Sequence, residues 1–217
     1  MLPNNLDPVA VRIIGCLIEK ELSTPDHYPL SLNALTSACN QLSNRDPVMS
    51  LEESAVSQTI DSLRRQGLVR SIQSAGSRVP KYQHLLAEVG EFSRAELAVL
   101  CVLLLRGFQT QGEVRSRAAR LIPADDSAGL DAALEALITR ETPTVARLPR
   151  RPGQKEVRYA HLLSGDVIAS TDDVPDHVPV TTPSADRIDA LEQLANELRN
   201  EVADLRAQLA AFRKQFE

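Results

Sequence analysis

Positive charge, long apolar runs and cysteine are all scarce in this chain, and each scarcity removes a class of protein. Lys and Arg number 24 against 29 Asp and Glu, a formal net charge of −5 over 217 residues. The total therefore gives no reason to expect strong non-specific attraction to a polyanion. The longest apolar runs, such as Leu97 to Leu105, fall far short of the ~20 residues that a membrane-spanning helix needs. No basic and apolar signal follows Met1, so the expectation is a cytoplasmic protein with no membrane partner. The three cysteines are odd in number and lack C-x-x-C spacing. That argues against a disulfide framework or a four-ligand zinc site and fits a reducing compartment. Missing too are the H-E-x-x-H, G-x-S-x-G and P-loop patterns, and His27, His84, His161 and His177 are scattered. Nothing sets a nucleophile beside a base or a phosphate on a helix N-terminus, so no enzyme, cofactor or metal is expected.

What remains is an ordinary globular composition, 43% hydrophobic and 24% charged, long enough for one or two domains. The acidity is unevenly distributed. Residues 1–85 carry 8 basic and 8 acidic side chains, residues 86–162 carry 11 and 10, and residues 163–217 carry 5 and 11. The tail holds the net charge and the preceding segments are near neutral.

The chain reads as two similar halves and a tail. From Leu6 to Leu22, Ala10, Ile13, Ile14, Leu17 and Ile18 follow amphipathic helical spacing, with Asp7 as N-cap and Pro8 in the first turn. A shorter helix begins at Ser31 and runs through Leu32, Leu35 and Ala38. Ser50 with Glu53 predicts a capping box for a third helix, whose stripe is Val56, Ile60 and Leu63 and which ends at Gly67. Two strand-like runs, Leu68 to Gln73 and Val79 to His84, flank a turn at Gly76. The order repeats: Ser93 caps Arg94 to Arg106, then come Gln111 to Leu121, Leu130 to Thr139, and a hairpin from Val145 to Leu148 and Glu156 to His161. KYQHLL at residues 81–86 matches RYAHLL at 158–163, an offset of 77 that supports duplication of one unit.

The predicted fold class is therefore mainly α (α+β), with two tandem winged helix-turn-helix domains at 6–86 and 87–163. A linker at 164–185 and a coiled-coil helix at 186–217 follow. The linker is rich in Asp, Pro, Thr and Val without periodicity. In the last segment Ile188, Leu191, Ala195, Leu198, Val202, Leu205, Leu209, Phe212 and Phe216 alternate in steps of 3 and 4. In a parallel pair Arg187 meets Glu192 and Glu201 meets Arg206, so a homodimer is expected; the alternative is a helix docked on its own chain. The helix from Arg94 to Arg106 is apolar all round and must be covered all round. Its cover is either the neighbouring domain or a second subunit.

Candidate nucleic-acid contacts follow from where cations lie. The second hairpin carries Arg147, Arg150, Arg151, Lys155 and Arg158 against the single acid Glu156, and the second helix of the same half carries Arg115, Arg117 and Arg120. Double-stranded DNA is one reading of this patch. A solvated hairpin or a dock for an acidic protein surface is the other. In the first half Gln58 and Arg65 on the third helix, with Arg45, Arg78 and Lys81, offer base or phosphate donors. Against this, Glu52 and Glu53 open that helix, and Asp125, Asp126, Asp131 and Glu135 surround its counterpart; all would repel phosphate. The loop holding Asn40, Gln41, Asn44 and Arg45 serves equally well as a self-bonded turn. His84 and His161 hold equivalent positions and read as packing residues. Cys16 and Cys101 lie among apolar neighbours and read as core.

Two stretches, IGCLIEKELSTPDHYPLSLNALTSACNQLSNRDPVMSLEE at 14–53 and LLLRGFQTQGEVRSRAARL at 103–121, resemble the hallmark segments of the YceH-like family of uncharacterised bacterial proteins. The resemblance implies tandem winged-helix domains and brings no activity, ligand or catalytic residue. Two functions stay open: a dimeric DNA-binding protein, such as a transcriptional regulator, or a winged-helix adaptor that binds protein without touching DNA.

Overall fold

The computed structural model describes residues 2–73, 79–150 and 156–165. The turn at Gly76, the heptads, most of the linker, and Arg78, Arg151 and Lys155 lie outside them. Among the described residues there are seven α-helices and two three-stranded antiparallel sheets, a mixed and mostly helical fold. No helix there is long and apolar enough to cross a membrane.

Helix α1 (Pro8–Ser23) starts where the Asp7 carboxylate accepts hydrogen bonds from Val9 and Ala10 N–H at 2.9 and 2.8 Å, with Pro8 in the first turn. Strand β1 (Leu30–Ser31) leads into α2 (Leu32–Cys39), which the Ser31 hydroxyl caps. After a loop come α3 (Glu53–Arg65), β2 (Val69–Ile72) and β3 (Lys81–His84). The short α4 (Leu86–Gly90) joins the halves. Then follow α5 (Arg94–Arg106), β4 (Gln109–Thr110), α6 (Gln111–Ala118), α7 (Leu130–Thr139), β5 (Val145–Arg147) and β6 (Arg158–His161). Reciprocal capping boxes, Ser93 with Glu96 and Thr110 with Glu113, fix the starts of α5 and α6.

The two halves repeat one backbone register. The sheets have orders β1-β3-β2 and β4-β6-β5. Leu30 and Ser31 face Tyr82 and Lys81; Gln109 and Thr110 face Tyr159 and Arg158. His84 pairs with Val69 and His161 with Val145. The two-residue strands β1 and β4 and the helix α4 were not legible in the hydrophobic pattern. Two residues are too few for a period, and the strands form because each precedes a capped helix against an existing hairpin.

Two helix boundaries differ from expectation. Ser50 does not cap α3: the N-cap is Glu52, which makes no side-chain bond there. The cause lies upstream, where the Asn40 amide accepts from Leu51 N–H and donates to Leu51 C=O at 2.7 and 2.8 Å. That pairing holds the chain extended through Leu51. Helix α6 ends at Ala118 rather than Leu121, followed by tight turns and Pro123.

The core sits between α1 and α5. Every side chain from Leu97 to Leu105 is buried, and α1 packs against α5, so within this one compact unit the neighbouring half covers the apolar helix. Gly15 permits the approach: a Cβ there would lie 2.7 Å from Leu105 Cδ2 and 3.2 Å from Leu104 Cβ. Cys16, Cys39 and Cys101 are buried and free.

Candidate functional site

The polar loop after α2 folds inward. Arg45, read above as a DNA donor, is only 6% exposed. Its guanidinium pairs with Glu19 on α1 at 3.0 and 2.6 Å, and donates to Ala38 C=O, Asn44 C=O and the Gln41 amide oxygen. Burial is the largest single influence and disfavours its charge, but the hydrogen-bonded Glu19 carboxylate together with the neighbouring Cys16 and Cys101 raises the Arg45 pKa overall. With its donors engaged inside the fold, Arg45 is withdrawn from the phosphate contacts. Arg12, two turns before Glu19 on the same face of α1, is also buried and donates to the carbonyls of Cys39 and Pro47. Desolvation lowers its pKa.

The same loop ties the halves together. Asp46 N–H donates to Leu105 C=O at 2.8 Å, and the Arg106 guanidinium bonds the Asn44 side-chain oxygen. Around this joint Arg106, Arg117 and Arg120 share a small recess of about 80 Å³ with Asn44 and Glu19. Burial and then the charge of Arg117 lower the Arg106 pKa. Arg117 pairs with Glu113 at 3.3 Å. Arg115 faces Asp131 of α7 at 3.6 Å, and Asp131 also accepts from Gln111.

The other cations lie elsewhere. Arg147 and Arg150 are exposed on the second hairpin, and Arg158 is half-buried on β6 opposite Thr110 at the head of α6. Gln58 and Arg65 are exposed on α3, and Lys81 is exposed on β3. The acids Glu52, Glu53 and Asp61 share the exposed surface of α3, Asp61 pairing with Arg64 at 3.1 Å. The candidate cations thus divide: α6 and the turn after it bring Arg117 and Arg120 to the seam between the halves, Arg115 faces α7, and the second hairpin carries Arg147 and Arg150. Among the described residues no cluster of three or more His, Cys, Asp or Glu side chains is arranged to hold a metal.

The two equivalent histidines have different surroundings. His84 Nδ1 accepts from Leu86 N–H at 3.2 Å, which leaves Nε2 facing the Glu21 carboxylate; the His84 backbone N–H donates to the Tyr28 hydroxyl at 2.9 Å. The bond to His84 lowers the Glu21 pKa, and burial raises that of Tyr28. His161 has no such partners, its Nδ1 being buried and unbonded, and burial pushes its pKa down to about 4. It lines a cavity of about 310 Å³ between the halves.

Sequence reasoning missed Arg12, Glu19, Glu21, Tyr28 and Arg106. For Arg12 and Glu19 the signal was present: with Cys16 they are spaced 4 and 3 on one face of a helix whose neighbours are apolar.

A family profile described as "Protein of unknown function, DUF480" matches residues 6–154. The chain belongs to this family. A UPF0502 protein of Pelobacter propionicus is 48% identical over 221 residues, spanning 100% of this chain and 99% of its own. One from Geobacter sulfurreducens is 57% identical over 162 residues, covering 74% and 73% of the two chains. Another from Aeromonas hydrophila is 48% identical over 209 residues, with 94% and 93% covered. This agrees with the resemblance carried by residues 14–53 and 103–121. Those two stretches, from opposite halves, meet at the seam through Asn44 with Arg106 and Asp46 with Leu105.

Proposed function

We propose that this protein is a non-enzymic, dimeric DNA-binding protein whose halves are tandem winged helix-turn-helix units, and that the second hairpin supplies its main phosphate contacts. The observation that carries the reading is the exposure of Arg147 and Arg150 on a hairpin that follows a three-helix set, in a half whose backbone register repeats the first. In such a unit the hairpin reaches phosphate while the third helix faces a groove. Gln58 and Arg65, exposed on α3, are the base-edge candidates of the first half. Arg151, Lys155 and Arg78 extend the basic hairpins in sequence.

Titrating labelled duplex DNA at several salt concentrations tests this, because neutralised phosphates release counterions and make affinity fall with salt. A salt-sensitive isotherm is expected from the full chain; no binding at low salt overturns the reading. The dimer rests on the heptads. Sedimentation should give a dimer for the full chain and a shift toward monomer on deletion from Ala185 onward. Glu201→Arg, facing Arg206 in a parallel pair, should weaken it.

One observation favours an adaptor instead. The acids of α7 and its preceding turn are exposed or partly so, and Asp131 already answers Arg115. A partner with a basic surface would suit that face, and its binding would be indifferent to duplex DNA.

A further inference from the structure

We propose that the second half holds a pocket for a small phenolic molecule, an uncharged aromatic ring bearing one hydroxyl, in the place that Tyr28 fills in the first half. The inference goes beyond the proposed DNA contacts and does not depend on them.

The argument starts from register. Leu30 of β1 and Gln109 of β4 are equivalent, since they face Tyr82 and Tyr159 on strands 77 residues apart. Two residues before Leu30 stands Tyr28; two before Gln109 stands Gly107. Tyr28 lies beside His84, ring centroids 6.3 Å apart, and its hydroxyl accepts the His84 backbone N–H. Gly107 has no side chain to offer, and its φ of +67° lies where glycine is favoured. The space is left as the cavity of about 310 Å³, bounded by Gly107, Phe108, Leu103, Leu104, Ala160 and His161. That is the lower end of the range for small-molecule sites, and its wall is largely apolar with few polar groups, as such sites are.

Its polar chemistry selects an uncharged guest. Arg12 and Asp46 both line it and carry opposite charges, so the wall holds no net charge from them. The His161 side chain makes no hydrogen bond among the described residues, and burial keeps its ring neutral near pH 7. A neutral imidazole both donates and accepts, which matches a hydroxyl. Because α1 and the loop at Asp46 and Pro47 form the opposite wall, a guest there touches both halves at once.

The test is amide NMR of the full chain titrated with 4-methylphenol, which is the Tyr side chain alone, and with toluene, which lacks the hydroxyl. Saturable shifts are expected at Gly107, His161 and Gly165, with Tyr28 and His84 unmoved. Toluene should bind roughly three- to tenfold more weakly, the worth of one neutral hydrogen bond. His161→Phe should bring 4-methylphenol down to the toluene level. Tyr28→Gly should open the twin site, so that 4-methylphenol now also shifts His84. The proposal is overturned if wild-type shifts do not saturate, if they lie away from Gly107 and His161, or if the wild type binds toluene and 4-methylphenol equally.

Discussion

His84 and His161 stand at the same position of two equivalent sheets, paired with Val69 and Val145, yet one is held by three neighbours and the other by none. Around His84 the first half gathers Glu21 from α1, Tyr28 from the turn before β1 and the Leu86 amide. Around His161 the second half leaves a cavity at the seam. The same contrast runs through the charges: the first half buries Arg12, Glu19 and Arg45, whereas the second keeps Arg115, Arg120, Arg147 and Arg150 at the surface. The two halves share register and topology and differ in their side chains. The first half anchors the joint with buried charge, whereas no Asp, Glu, Lys or Arg among the described residues of the second half is buried.

Breaking the anchor should have the largest effect. Glu19→Leu leaves Arg45 buried without its carboxylate, which costs about 3–5 kcal/mol in unfolding free energy measured by urea denaturation. In the second half the partly exposed Glu113→Gln keeps a cap-competent amide and loses only a surface pair, so its cost should stay within about 1 kcal/mol. Equal losses for the two would erase the distinction drawn here.

Glycine gives a comparison of sign. Gly15→Leu forces atoms into the α1 and α5 contact and should destabilise by about 1–3 kcal/mol. Gly112→Ala, in α6 with open space around the new Cβ, should stabilise by about 0.5–1 kcal/mol. Thermal unfolding of both variants checks the pair of signs.

The element order, the repeat and the cover on α5 were largely legible in the sequence, because helices of eight residues or more display their buried stripe. The fate of the polar loop was harder to read. Nothing in NQLSNRDPV distinguishes an arginine that meets phosphate from one that meets Glu19, because the deciding carboxylate lies 26 residues earlier on α1. The cavity was invisible for a similar reason. It arises from what Gly107 lacks, and only the register of β4 against β6 reveals that Tyr28 is the missing counterpart.

The halves should also titrate in different windows. His161 has a folded pKa of about 4 against an ordinary 6.5, so the unfolded chain binds its proton first. The stability this contributes is fully present above pH 6.5 and is lost as pH falls toward 4. His161→Phe should flatten that part of the stability profile. The Glu21 pKa lies below 4.5 because His84 holds its carboxylate, so its contribution is present above that value and is lost only at lower pH. Glu21→Gln should therefore flatten the more acidic limb. Identical profiles for the two variants would mean that the two histidine sites do not differ as described.

The most direct measurement compares the full chain with Arg150→Ser/Arg151→Ser in duplex titrations across a salt series. If the second hairpin contacts phosphate, the double variant stays folded, binds many sequences more weakly, and loses roughly 0.9 in log–log salt slope for each contact removed. A folded double variant with unchanged affinity and slope would contradict the account.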